Sequence, residues 1–379
     1  MEYKNKLANL RVAIVHDWMV SLGGAERVVD SLLKLFPQAD IYTSVYDPKK
    51  LTLFKNRSIR TTFLQHWPLA KRKHQLFSAI RPLAFESLDF KDYDLVISSS
   101  SAESKGIITP TETLHVSYVH TPTRYFWSGY KQYLADPGFG PLDPLVKLFM
   151  PRLVQKLKVW DFAAAQRPDF LIANSKLVKS RISKYYKRES EVINPPVSTE
   201  RFKKSDMKDR PDRDDYYLVI SRLVTYKRVD LAVQACTKLG KKLIVAGSGP
   251  ELKNLKKIAG KGVEFMLKPT DKEVARLYAR AKAFIFSANE DFGITPVEAM
   301  AAGCPVICYG KGGATETVID GKTGVYHDKQ TVSNLEEAIR KFEKMSFDKA
   351  DLYARAAEFS EERFLEEIGG YIVEKIKEK

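Results

Sequence analysis

Long apolar runs are missing from this chain. No stretch approaches the ~18 consecutive apolar residues of a membrane-spanning helix. Cysteine is scarce: Cys236, Cys304 and Cys308 are an odd set of three, which excludes the disulfide framework of a small secreted scaffold. Cys304 and Cys308 flank a strand-like CPVIC run with no histidine beside it. That argues against zinc and for buried apolar thiols. Met1 to Leu10 is polar and leads into a short strand-like run, without the longer apolar core of a secretory leader. The chain is therefore expected to stay in the cytoplasm. No low-complexity tract or short repeat breaks the sequence.

What is present is an ordinary globular composition, 44% hydrophobic and 29% charged over 379 residues. That length suits two domains, each with its own core. The net charge is +15. Residues 1–200 hold 29 Lys and Arg against 19 Asp and Glu, and the remainder holds 33 against 28. A basic balance fits phosphates, nucleic acid or an anionic membrane, and composition alone does not choose.

Short apolar runs alternate with helix-period segments. Arg11–His16, Leu95–Ser99, His115–Val119 and Phe170–Ala173 read as strands, with helices over Ala25–Phe36 and Lys176–Tyr186. The pattern breaks over Pro195–Asp215, a stretch dense in Lys, Arg and Asp that reads as a linker. Alternation resumes with strands Tyr216–Ile220, Lys242–Ala246, Val263–Leu267, Ala283–Phe286 and Val306–Tyr309 and helices from Arg228, Glu251, Asp271 and Pro296. From Val332 onward the chain reads as helical. Such alternation predicts parallel sheets with crossover helices. The expected organisation is an N-terminal Rossmann-like domain over 1–200, a second over 201–352 and a helical segment over 353–379 returning toward the first. Two such domains imply a cleft, with ligands beyond the carboxyl ends of the strands.

Five motifs carry candidate chemistry. Gly23-Gly24-Ala25-Glu26 opens a helix after the first strand. It is either a tight turn or a place where backbone amides approach an anion, and it lacks the three-glycine spacing of a dinucleotide site. Ser221–Arg228 places Arg222, Lys227 and Arg228 between a strand and a helix. A diphosphate would suit these cations; a solvated basic helix start would run against the helix dipole. Ala246-Gly247-Ser248-Gly249-Pro250-Glu251 reads first as a structural turn. Glu290-Asp291-Phe292-Gly293-Ile294-Thr295-Pro296-Val297-Glu298 puts one carboxylate on a loop and another on a helix, eight residues apart. Paired sugar or ribose hydroxyls suit such acceptors, although Glu298 could equally serve the helix N-terminus. Finally, His120 ends a strand at the head of His120–Trp127 and either bonds a substrate or serves structure.

In this order the motifs resemble the retaining GT-B glycosyltransferases of the family 4 type. The runs HTPTRYFW, SRLVTYKRVDLAV and EDFGITPVEAMAAGCPVICYGKGGATETV are especially similar to bacterial mannosyltransferases of O-antigen and exopolysaccharide assembly. The similarity extends from Val12 to about Gly324. It implies an α/β fold of two Rossmann-like domains facing each other across a cleft. Gly23 and Gly24 would lie near the donor β-phosphate, and Arg222 and Lys227 would hold the diphosphate. Glu290 would bind donor-sugar hydroxyls, with amides of Phe292, Gly293 and Ile294 near sugar and phosphates. Glu298 would bind the ribose, and His120 would face the reacting centre. Many relatives have Gly after the motif lysine, where this chain has Arg228.

The activity so implied is transfer of a hexose, best read as mannose from GDP-mannose, to a lipid-diphosphate-linked glycan with retention of configuration. Neither a cofactor nor a metal is expected. Asp92-Tyr93-Asp94 and Asp212-Arg213-Asp214 both precede strands instead of ending one. A nucleotide-sugar epimerase on the same architecture and a basic nucleic-acid-binding protein are the rivals; no nucleic-acid-binding module is evident. Between Lys49 and Phe85 nine cations and no acid interleave with Phe54, Phe63, Leu64, Trp67 and Leu69. Either the apolar members pack into the core and the cations are solvated, or the segment meets anionic headgroups; the lipid-diphosphate acceptor that the resemblance implies favours the second, with the protein expected at the inner face of the cytoplasmic membrane.

Overall fold

A computed structural model describes residues 6–135, 140, 143–203 and 214–379. The chain divides into two units, one formed by Met1–Asn194 with Phe364–Lys379, the other by Pro195–Arg363.

The first unit is built on seven strands: β1 (Val12–His16), β2 (Asp40–Thr43), β3 (Ile59–Thr61), β4 (Leu95–Ser100), β5 (Leu114–Val119), β6 (Phe170–Ala173) and β7 (Glu191–Val192). They pair in parallel in the order β3-β2-β1-β4-β5-β6-β7. The central strands β1, β4 and β5 are buried along their whole length. Burial on both faces removes the apolar/polar alternation from β1, Val-Ala-Ile-Val-His, whereas β4 ends in the buried Ser98-Ser99-Ser100 and β5 sets the buried His115 and Ser117 among apolar residues. Register sets His16 opposite Ser99 and Ser99 opposite Tyr118. The carboxyl ends of β1, β4 and β5 thus lie side by side where the strand order reverses, the position at which such sheets take ligands.

The second unit carries β8 (Tyr217–Ile220), β9 (Leu243–Ala246), β10 (Val263–Met266), β11 (Ala283–Phe286), β12 (Val306–Tyr309) and β13 (Gly324–His327), parallel in the order β10-β9-β8-β11-β12-β13. Its helices start on local signals. Thr270 caps Asp271–Arg280 through a capping box with Glu273, and Thr331 caps Val332–Phe342 by accepting from the Asn334 amide.

The unit boundaries differ from those expected at 200/201 and 352/353. Val197, Phe202, Leu352, Ala356 and Phe359 all sit in one core cluster of the second unit, so the apolar face of Lys349–Ala357 belongs there. The helix Glu361–Glu378 instead packs Phe364, Ile368 and Ile372 against Val12, Ile14, Ile97 and Tyr118 of the first. The expected linker partly falls at 204–213, outside the described residues; so do Asp212 and Arg213 of the second Asp-x-Asp run. Of that run Asp214 pairs with Arg280, while Asp94 of the first pairs with Arg11. All three cysteines are buried free thiols, and burial pushes Cys236 up to about 12. The strands β2, β3, β7 and β13 were not foreseen, nor was the helix Asp143–Ala164.

Because Phe364 is fully buried in the first unit's core, Phe364→Ala is expected to cost about 3–5 kcal/mol. Hydrogen exchange should show β1, β4 and β5 losing protection while β8, β11 and β12 keep theirs. Lost protection in the second unit instead would contradict this assignment of the last helix.

Candidate functional site

In the second unit, Lys227 follows β8 in the single 3₁₀ turn Thr225–Lys227, and Glu290 follows β11. Their side chains form an ion pair, both largely shielded from solvent. Backbone contacts brace the two loops. The Leu223 amide donates to the Ser248 carbonyl at 2.9 Å and the Glu251 amide to the Leu223 carbonyl at 3.1 Å. A Cβ on Gly247 would fall 1.9 Å from the Ser221 carbonyl oxygen, so the glycine turn is a support for the cationic loop. On the other side the Gly313 amide donates to the Glu290 carbonyl at 2.8 Å, and a Cβ on Gly313 would lie 2.2 Å from the Phe292 Cα.

Glu290 leads directly into the helix Ile294–Ala301, whose N-cap is Gly293 at φ +89°. Pro296 lies within the first turn and does not begin the helix, as the sequence had suggested. The Gly293 and Ile294 amides therefore sit at a helix N-terminus, where anions are favoured. The Phe292 side chain is buried against Phe359, which leaves its backbone for a ligand. Glu298 lies farther along the same helix, 3.4 Å from the Tyr278 hydroxyl and 3.8 Å from the Arg201 guanidinium.

Arg222 is exposed, its guanidinium 3.4 Å from the Tyr226 hydroxyl. Arg228 is committed elsewhere: its Nε and Nη2 donate to Asp230 at 3.1 and 3.0 Å, and its Nη1 lies 3.5 Å from the Gln330 carbonyl oxygen. Its backbone is left-handed, φ +51°. Glycine enters that conformation freely, which accounts for the glycine at this place in resembling proteins.

In the first unit, Gly23 is the N-cap of Gly24–Leu35, and a Cβ there would press on Glu26 at 3.0 Å. Glu26 Oε1 stands 3.6 Å from His16 Nε2, both side chains being buried. His16 Nδ1 lies 2.9 Å from the Ser99 carbonyl oxygen; a carbonyl only accepts, so that nitrogen carries hydrogen. Ser99 Oγ in turn lies 2.8 Å from His120 Nε2. A connected path Glu26–His16–Ser99–His120 thus joins the Gly-Gly helix start to the histidine that follows β5. Burial opposes a charged His16, but hydrogen bonding to and the charge of Glu26, then Asp17, prevail and hold its pKa above the ordinary imidazole value.

Around this path the loops are fixed by buried charge. Asp17 accepts from the amides of Ser101, Ala102 and Ser104 at 2.6, 3.0 and 2.8 Å. Arg81 pairs with Glu103 at 2.9 Å. Asp161 takes Lys105 at 2.6 Å, the Thr123 hydroxyl at 2.7 Å, the Trp127 indole at 2.7 Å and the Tyr186 hydroxyl at 2.8 Å. His16, Ser99, Asp17, Asp161, Arg201 and Tyr278 were not among the residues singled out from the sequence. Ser99 and Asp161 sit in unremarkable contexts, although a histidine closing a strand was a signal for His16.

Two parallel α/β units, with cations and carboxylates gathered at the carboxyl ends of their sheets, define the GT-B class. Residues 22–201 match the family model described as Glycosyltransferase Family 4, and residues 200–363 that described as Glycosyl transferases group 1. The chain belongs to the GT-B glycosyltransferases of the family 4 type. It is 31% identical over 174 residues to the GDP-mannose-dependent alpha-(1-6)-phosphatidylinositol monomannoside mannosyltransferase of Mycolicibacterium smegmatis, covering 39% of this chain and 46% of the relative. The chain thus spans about half the length of that relative. It is 25% identical over 399 residues to the alpha-1,3/1,6-mannosyltransferase ALG2 of Dictyostelium discoideum, covering 88% and 89%. Among solved structures, Anabaena HepE in complex with UDP superposes with a TM-score of 0.70 at 17% identity, over 96% of this chain and 100% of that one.

The Glu26–His16 contact has a measurable signature. A folded-state pKa raised above the unfolded one contributes stability that is fully present below the unfolded pKa and fades as pH rises through the raised value. In Glu26→Gln the His16 pKa should fall, because the opposite charge that favours the imidazolium is lost. The stability gap to wild type should therefore narrow as pH rises. Nuclear magnetic resonance titration of the His16 ring reads the shift; an unchanged titration would contradict the ion contact.

Proposed function

We propose that the chain is a retaining mannosyltransferase that takes mannose from GDP-mannose and delivers it to a membrane-borne, lipid-diphosphate-linked glycan. The observation that carries the reading is the Lys227–Glu290 pair, poised beside the helix N-terminus at Gly293. A cation and a carboxylate in contact can each turn to the matching part of one donor. Lys227, with Arg222, takes the diphosphate, and Glu290 takes sugar hydroxyls. Glu298 serves the ribose. The choice of mannose and GDP is supported by the printed activities of the mycobacterial and Dictyostelium relatives. The likeness to a UDP complex at 17% identity concerns the fold alone.

In the proposed reaction the bond from the sugar's anomeric carbon to the β-phosphate oxygen breaks, and negative charge grows on that oxygen. Lys227, Arg222 and the amides of Gly293 and Ile294 stabilise it. The acceptor hydroxyl attacks on the face the phosphate leaves. Its proton passes to the departing phosphate oxygen, and configuration is retained. His120, fixed by Ser99, offers a hydrogen bond to the reacting substrate. With two cations for the diphosphate, the reaction as proposed needs no divalent metal. Among the described residues no helix is long and apolar enough to cross a membrane, and the protein is placed here as a peripheral one at the inner face of the cytoplasmic membrane.

Nucleotide release from a panel of sugar nucleotides tests the reading. GDP-mannose should be turned over without added metal, and calorimetry should find GDP bound more tightly than UDP. Arg222→Ala and Lys227→Ala should each lower turnover by about 10²–10³-fold, as for loss of one preorganised donor. Tighter UDP binding would overturn the base, and near-normal turnover in both folded variants would overturn the diphosphate assignment.

A further inference from the structure

The helix Asp143–Ala164 of the first unit is apolar on both sides. Its inner face buries Val154, Leu157, Asp161 and Ala164, packed with Phe126, Trp127 and Tyr130. Its outer face exposes Leu145, Leu148, Phe149, Leu153 and Val159, with Leu148 and Val159 at 67% and 72%. At ~100° per residue, these five, together with the exposed Arg152 and Lys156, fall within an arc of about 140°. From Pro144 to Trp160 the sequence holds Lys147, Arg152, Lys156 and Lys158 and no acid. Lys158 is turned sideways over the rings of Trp127 and Tyr130. A helix of 22 residues is ~33 Å long. The exposed apolar residues run from Leu145 to Val159, ~21 Å along that axis, and an exposed apolar stripe of that extent marks an interaction surface.

We propose that this outer face is where the protein lies on an anionic lipid bilayer, the helix axis in the plane of the interface. The inference rests on the reading of the acceptor as membrane-borne. Charge decides the occupant. Arg152 and Lys156 stand near the middle of the arc, so two copies meeting through this face about a two-fold axis would bring like charges together. Anionic headgroups neutralise the same cations while leucine and phenylalanine side chains enter the interface. The segment Lys49–Phe85 offers less. Phe54 and Leu64 are buried in core clusters, and Arg81 is committed to Glu103. Its exposed apolar residues Leu53, Phe63, Trp67, Leu69, Leu76 and Leu83 lie on no shared helix.

The test is co-sedimentation of the full chain with phosphatidylcholine vesicles, with and without phosphatidylglycerol. Leu145, Leu148 and Phe149 changed together to Ser should weaken binding to phosphatidylglycerol vesicles at least about tenfold. Arg152→Gln with Lys156→Gln should weaken it and flatten its salt dependence. Changing Lys71, Arg72 and Lys73 to Glu should have the smaller effect. In Phe149→Trp, where folding is undisturbed, the new indole should be quenched by brominated lipid. GDP affinity on the same preparations reports the donor reading separately and should be unchanged in the serine variant. Undiminished binding of the serine variant, or binding indifferent to lipid charge, overturns the proposal. So does a wild-type dimer that ignores vesicles and dissociates on the serine changes.

Discussion

The second unit is organised around one contact, that of Lys227 with Glu290. The two residues come from the ends of β8 and β11, adjacent strands on either side of the point where the order reverses. Each loop runs so close to a neighbouring loop that a single Cβ would collide with backbone: Gly247 under Ser221, Gly313 against Phe292. The loops are therefore rigid supports for a partly shielded ion pair. A buried or half-buried pair contributes little net stability, so keeping one at the mouth of a parallel sheet makes sense chiefly as chemistry. A phosphate and a sugar hydroxyl can replace the two members for each other without leaving either charge unpartnered.

The first unit solves a related problem differently. Its loops are pinned by fully buried charges: Asp17 under three amides, Arg81 on Glu103, Lys105 on Asp161. Removing one member of such a pair leaves an uncompensated charge, which costs far more than the intact pair contributes. The stretch between His120 and Trp127 is held at both ends. Ser99 fixes the histidine, and Asp161 gathers Thr123 and Trp127. The aromatic run after His120 is thereby accounted for as scaffolding. It also explains why the outer face of the helix bearing Asp161 is free to be apolar: its inner face alone anchors it.

Much of this was legible in the sequence, for physical reasons. Central parallel strands are buried on both faces and rich in β-branched and aromatic residues, so β1, β4, β5, β11 and β12 were found almost to the residue. Strands β2, β3 and β13 are short or mixed with Thr, Tyr and Gly, and carry no such signal. Glu361–Glu378 was visible as a helix, but its change of unit depends on which core accepts Phe364 and Ile368. Motif spacing exposed Lys227, Glu290 and Glu298. It could not reveal the path from Glu26 to His120, because strand register alone brings Ser99 to His16 across 83 residues. Nor could it tell that Arg228 turns to Asp230.

The central claim is that Lys227 serves the phosphates of the donor and Glu290 its sugar. Calorimetric binding of GDP and of GDP-mannose to wild type, Lys227→Ala and Glu290→Gln tests it most directly. The account predicts that Lys227→Ala weakens both ligands alike, while Glu290→Gln weakens GDP-mannose and leaves GDP nearly unchanged. Equal loss of both ligands in Glu290→Gln, or GDP binding indifferent to Lys227, would contradict it.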